Sequence, residues 1–225
     1  GEYDDFVAIS DYCRKEQIWL HVDAAFGFWI QLATEDRFKN LANGIGNACS
    51  IALDFHKWMG IPYDCGAFLC YSEEIHRTTF SNRPAYLQSP VVTGAAAGDQ
   101  ETPVGLAGGD LWMCDYTLEL SRGFKALKVW TALQAVGTNT FSEVITDNCK
   151  QVEYMANLVD RSPLLQLARP VISNICCFRQ VDDDDEISMK RFTPSIITSM
   201  LQLSGDAVFS TTMIDGHECL RAAIV

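Results

Sequence analysis

The sequence predicts an α/β fold, on three observations. Apolar runs without strict polar alternation, Ile18 to Val22, Ala48 to Leu53 and Gly66 to Tyr71, suit strands of a parallel or mixed sheet covered on both faces. Two long segments after residue 117 carry apolar residues at the helical period. The chain has 225 residues, 48% of them apolar, enough to bury a sizeable core.

The elements follow in chain order. Phe6, Ile9 and Cys13 fall at helical spacing, which predicts a helix over residues 5–13 ahead of the first strand. Residues 88–109 hold five Gly, four Ala and two Pro with few charges, and read as a long loop, of a length that is usually functional or disordered. Leu118, Phe124, Leu127, Trp130, Leu133 and Val136 predict one broad apolar helix face. Phe141, Val144, Ile145, Cys149, Val152, Ala156 and Val159 predict a second. Gly137 between them fits a helix end, with Asn139 or Thr140 as the next N-cap. A strand over 171–179, a solvated acidic loop over 182–186, a helix over 194–203 and strands over 208–213 and 219–224 close the chain. That order predicts a small α+β domain separate from the first sheet.

Charge and composition narrow the function. Against 29 acidic residues stand 17 basic ones, a net charge of −12. Nucleic-acid binding draws on clustered Lys and Arg, so it is not expected, and an anionic membrane surface is disfavoured for the same reason. Mean hydropathy is +0.03, and no apolar run nears the roughly 18 residues of a spanning helix. The opening Gly1–Asp5 is acidic and lacks the apolar run of a signal peptide. Nine cysteines without any C-x-x-C pair, several inside apolar runs, predict buried free thiols and a cytoplasmic location. The chain has no initiator Met and stops within a strand-like run, so it reads as part of a larger protein.

Two polar groups stand at the ends of predicted strands, where ligands gather in open α/β sheets. Lys57, between His56 and Trp58, is a candidate amine nucleophile toward an aldehyde, as Schiff-base chemistry with pyridoxal phosphate requires. Asp23 either caps the next helix or faces the pyridine nitrogen of that cofactor and keeps it protonated. Ala24 and Ala25 are small enough for a flat ring to pack against the backbone. His21, Asp23 and His56 lack further ligands at a convincing spacing, so no metal is expected. Cys65 and Cys70 have no positioned base, and Gly105–Asp110 lacks the lysine of a phosphate-binding loop and reads as a hinge.

His21-Val22-Asp23-Ala24-Ala25-Phe26-Gly27, Asp54-Phe55-His56-Lys57-Trp58 and Pro62-Tyr63-Asp64-Cys65-Gly66 together resemble the group II pyridoxal-phosphate-dependent amino acid decarboxylases. Ser121 to Trp130 and Leu220 to Ile224 extend the resemblance along the whole chain in the family's order.

The resemblance implies the aspartate-aminotransferase-like fold, fold type I: a partial large domain over 1–110, connecting helices over 111–160 and a small domain over 161–225. It makes Lys57 the lysine that binds the cofactor, Asp23 the partner of the pyridinium nitrogen, and Ala25 the small residue against the ring. It places His56 and Asp54 near the cofactor phosphate, Asp54 standing where many members have Asn. Arg122 matches an arginine near the active-site entrance. An amino acid substrate and a homodimer with a shared active site are implied as well. The family's ring-stacking histidine and most phosphate ligands would lie upstream of Gly1. The family's mobile loop, here about 88–112, carries a tyrosine; this stretch has none, and Met113 falls near its position. Decarboxylation of an L-amino acid is the leading expectation. An aldehyde synthase or aminotransferase on the same scaffold, or a non-catalytic dimerisation or binding module, stands beside it.

Overall fold

The computed structural model describes residues 1–81, 91–94, 98–103, 112–181 and 193–225. The Cα packing divides the chain into two units, one formed by Gly1–Phe68 with Ala126–Val225 and the other by Leu69–Lys125.

The first unit opens with α1 (Phe6–Lys15), started by Asp5, whose carboxylate accepts the Ala8 N–H at 3.0 Å. The Ile18 N–H closes the helix end onto Cys13 O at 2.8 Å. The first strand therefore starts later than the apolar run: β1 is His21–Asp23, with Ile18 and Trp19 exposed before it. β1 pairs in parallel with β2 (Ser50–Asp54), Val22 opposite Ile51 and Asp23 opposite Ala52. With β3 (Gly66–Cys70) they form a sheet ordered β1-β2-β3. Between β1 and β2 run a 3₁₀ turn, Phe28–Leu32, and the short α2 (Asp36–Lys39), which the apolar pattern alone does not mark.

The second unit holds α3 (Glu73–Phe80), capped by the Ser72 hydroxyl, and an antiparallel pair, β4 (Val91–Gly94) and β5 (Gly98–Pro103). These two strands replace part of the loop expected over 88–112. The rest of that loop, apart from Trp112, lies outside the described residues, as do the 105–110 hinge and the 182–186 acidic loop.

The expected helix face beginning at Leu118 is corrected. Helix α4 is Ala126–Val136 only; Leu118 and Phe124 stand before it, exposed, and within it Leu127, Trp130 and Val136 of the expected face are exposed as well, while Val129 is buried. Ser121-Arg122-Gly123 interrupts the period there, and glycine is a poor helix residue. Helix α5 (Thr138–Arg161) starts directly after Gly137, whose φ of 84° only glycine adopts at low cost. The N-cap is thus Gly137, not Asn139 or Thr140. Along α5, Ile145, Cys149, Val152, Ala156 and Val159 are buried in the order the 3.6 period predicts, whereas Val144 of the expected face is exposed. Its first half joins the core around Trp29, Ile30, Ile51 and Leu53, and its second half a separate core with Cys176, Phe178 and Leu220.

That second core lies on a four-stranded antiparallel sheet ordered β6-β7-β9-β8. Its strands are β6 (Leu165–Leu167), β7 (Ile175–Gln180), β8 (Ser210–Ile214) and β9 (His217–Ala223). Helix α6 (Pro194–Ser204) packs on β8 and β9, with Thr193 as N-cap and Gly205, at φ 80°, ending it. The short β6 has no counterpart among the predicted strands.

Candidate active site

Alternation along β1 sets the first wall of the site. Val22 turns into the core at 8% exposure, while His21 and Asp23 stand on the opposite face. The Ala24 N–H continues the ladder to Ala52 O at 2.9 Å, and Asp23 Oδ1 accepts the Ala25 N–H at 3.1 Å. This fixes the Asp23 carboxylate; its Oδ2 has no partner among the described residues. His21 is held from beside: its Nδ1 lies 2.8 Å from Ser50 Oγ, which also accepts Trp19 Nε1–H at 2.9 Å.

The second wall comes from the turn after β2. The Asp54 carbonyl accepts Trp29 Nε1–H at 2.7 Å, and Cys65 O accepts the Phe55 and His56 N–H groups at 2.9 and 3.3 Å. His56 Nδ1 lies 3.0 Å from Cys65 N and 2.9 Å from Cys65 O, and its ring packs 4.3 Å from that of Tyr63. Trp58 anchors the far side, 3% exposed, donating through Nε1 to Asn148 Oδ1 at 3.0 Å and stacking on Phe26. Lys57 thus stands between a clamped histidine and a buried tryptophan.

Lys57 Nζ lies 2.7 Å from Asp54 Oδ2, and His56 Nε2 lies 3.8 Å from the same oxygen. Gly66 makes room for this carboxylate, since a Cβ there would stand 2.9 Å from Asp54 Oδ1. His21, Asp23, Ala25 and Lys57 all line one cleft of about 560 Å³. Tyr3 also lines it, its hydroxyl donating to Gly27 O at 3.1 Å. Burial pushes the Tyr3 phenol up, so it stays a protonated donor.

The sequence-predicted residues thus fall into one neighbourhood, Asp23, Ala25 and Lys57 on the cleft and His56 and Asp54 on the turn carrying Lys57. Sequence reasoning did not assign His21, Tyr3 or Gly66 to the site. The His-x-Asp spacing, which puts both side chains on one strand face, is the signal for His21; Tyr3 has none. Arg122 and Met113 are exposed residues of the other unit.

The family model described as the pyridoxal-dependent decarboxylase conserved domain matches residues 1–181, and the chain belongs to that family. Among curated proteins it is 28% identical to an aromatic-L-amino-acid decarboxylase of Bacillus atrophaeus and 24% identical to a phenylacetaldehyde synthase of Arabidopsis thaliana. Each match covers 98% of this chain but only 43% and 42% of the relative, so the chain spans less than half the length of these proteins. The crystal structure of Oryza sativa TDC with PLP and tryptamine superposes with a TM-score of 0.77 at 20% identity, over 99% of this chain and 43% of that one. The fold is that of the pyridoxal-phosphate-dependent decarboxylases, fold type I, and pyridoxal phosphate is the family's cofactor. The residues present fit that group: an amine, an oriented carboxylate and a small side chain line one cleft of a size suited to a small molecule.

Proposed function

We propose that this chain carries the cofactor lysine of an enzyme that decarboxylates an L-amino acid with pyridoxal phosphate. The observation that carries the proposal is the presence of Lys57 and Asp23 on one cleft, each held by its own strand end. When bound, the cofactor supplies an electron sink for charge that develops at the substrate α-carbon.

The chain's own residues do the rest. Lys57 Nζ is the amine that would hold the cofactor through its aldehyde. Asp23, with Oδ1 fixed by the Ala25 N–H, holds a proton at the cofactor's ring nitrogen, which strengthens the electron sink. Ala25 leaves space for a flat ring beside β1. His56, its ring set by Cys65 and Tyr63, serves the phosphate. Asp54 belongs to the cofactor site through its grip on Lys57.

The proposal includes a division into a cofactor domain over 1–110, linking helices over 111–160 and a small domain over 161–225, and a homodimer in the cytoplasm. None of the nine cysteines is joined in a disulfide. No helix among the described residues is long and apolar enough to cross a membrane.

A second reading has its own support. Phenylacetaldehyde synthases stand among the relatives at 24% and 25% identity, and a solved 4-hydroxyphenylacetaldehyde synthase shares the fold. Product analysis tests both. The protein with pyridoxal phosphate is given aromatic L-amino acids, and carbon dioxide, amine and aldehyde are measured against Lys57→Ala. Carbon dioxide with amine supports the first reading, and carbon dioxide with aldehyde the second. Keto acid without carbon dioxide, or turnover surviving in Lys57→Ala, contradicts both.

A further inference from the structure

The end of β2 places an anion directly on the Lys57 amine. Asp54 Oδ2 sits 2.7 Å from Lys57 Nζ, and the Asp54 side chain is 19% exposed against 38% for Lys57. The carboxylate is not a loose surface group. Its backbone carbonyl is pinned by Trp29, and its Oδ1 occupies the space that the missing Cβ of Gly66 leaves open. Its position is set by the fold from both sides.

A carboxylate oxygen at this distance holds the amine by a direct contact, so Nζ must leave Asp54 before it can reach an aldehyde. We infer that Asp54 is a latch on Lys57: a positioning residue that holds Nζ at the β2 end, and so limits how fast the lysine captures an aldehyde. The inference rests on the reading of Lys57 as the cofactor lysine.

The chemistry that the latch restrains is simple to write. Lys57 Nζ leaves Asp54 and gives its third proton to water. Its lone pair then forms a bond to the aldehyde carbon. The two remaining N–H protons depart with the aldehyde oxygen as one water molecule. Only the first event is opposed by Asp54, so removing the carboxylate speeds capture.

The test measures capture at Lys57 by borohydride reduction at timed intervals and peptide mass, in the wild-type protein, Asp54→Asn and Gly66→Ala. Gly66→Ala keeps every charge and presses a methyl group on Asp54 Oδ1, so it provides a second route to an open latch if Asp54→Asn does not fold. The probes are pyridoxal and pyridoxal phosphate, each alone. Either variant is expected to speed labelling of Lys57 by both probes, by about three- to tenfold, as for loss of one partly exposed ion pair. Unchanged or slower labelling in folded variants overturns the latch while leaving Lys57 as the cofactor lysine. Acceleration with pyridoxal phosphate but not with pyridoxal also overturns it, because repulsion between Asp54 and the phosphate then accounts for the effect. No label on Lys57 in any protein removes the reading of Lys57, and the latch with it.

Discussion

Trp29 Nε1 donates to the carbonyl oxygen of Asp54 at 2.7 Å, joining the 3₁₀ turn after β1 to the last residue of β2. The bond crosses from the wall that carries Asp23 to the wall that carries Lys57. Trp29 is 8% exposed, so the Asp54 carbonyl has no ready substitute when this donor is removed.

Trp29→Phe keeps an aromatic core residue and deletes that donor. Stability should fall by about 1–3 kcal/mol, from a lost hydrogen bond and a small void. Denaturant midpoints measure the loss, and borohydride labelling of Lys57 should decline in parallel.

Asp23→Asn separates structure from chemistry. An amide oxygen can still accept the Ala25 N–H, so the β1 turn should keep its form. The amide cannot balance a protonated ring nitrogen, and turnover should fall by about 100-fold or more while Lys57 still takes up cofactor. Turnover and labelling, measured on the same preparation, check the split.

Two buried thiols give the protein an alkaline weakness. Burial pushes Cys149 and Cys176 up to about 12 from the ordinary thiol value of 9.0. In the unfolded chain these thiols lose their protons first. Their contribution is therefore complete below pH 9.0 and is lost as pH rises toward about 12. The urea midpoint should be lower at about pH 10.5 than at about pH 8, and Cys149→Ala should flatten that difference.

The ion pairs around Arg37 are expected to matter little. Arg37 bonds Glu153 and Glu35, and Lys150 pairs with Glu35, but the Arg37 side chain is 52% exposed. Glu153→Gln should change stability by less than about 1 kcal/mol. Ile145→Ala, at a residue 1% exposed on the same helix, should cost about 2–5 kcal/mol. Denaturation of the two variants side by side compares them.

These residues also show what was legible in the sequence. The period along α5 is carried by side chains within one element, and every apolar position from Ile145 to Val159 that it marked is buried. Strand ends were less legible, because the Ile18–Cys13 backbone bond that delays β1 leaves no mark in the apolar run. Leu118 and Phe124 matched a helical period that Ser121-Arg122-Gly123 does not sustain. At the site, Asp23, His56 and Lys57 were legible as polar residues ending apolar strands. The Asp54–Lys57 pair and its dependence on Gly66 were not. A strand-end turn sets the first, and a contact between β3 and β2 across twelve residues of chain sets the second. Neither relation has a sequence period.

On the reading proposed above, Lys57 is the residue that holds the cofactor. The direct measurement is equilibrium incubation with pyridoxal phosphate, borohydride reduction and peptide mapping by mass. A phosphopyridoxyl group is expected on Lys57, absent from the folded Lys57→Ala variant. Label spread over the surface lysines, or an unlabelled Lys57, contradicts it.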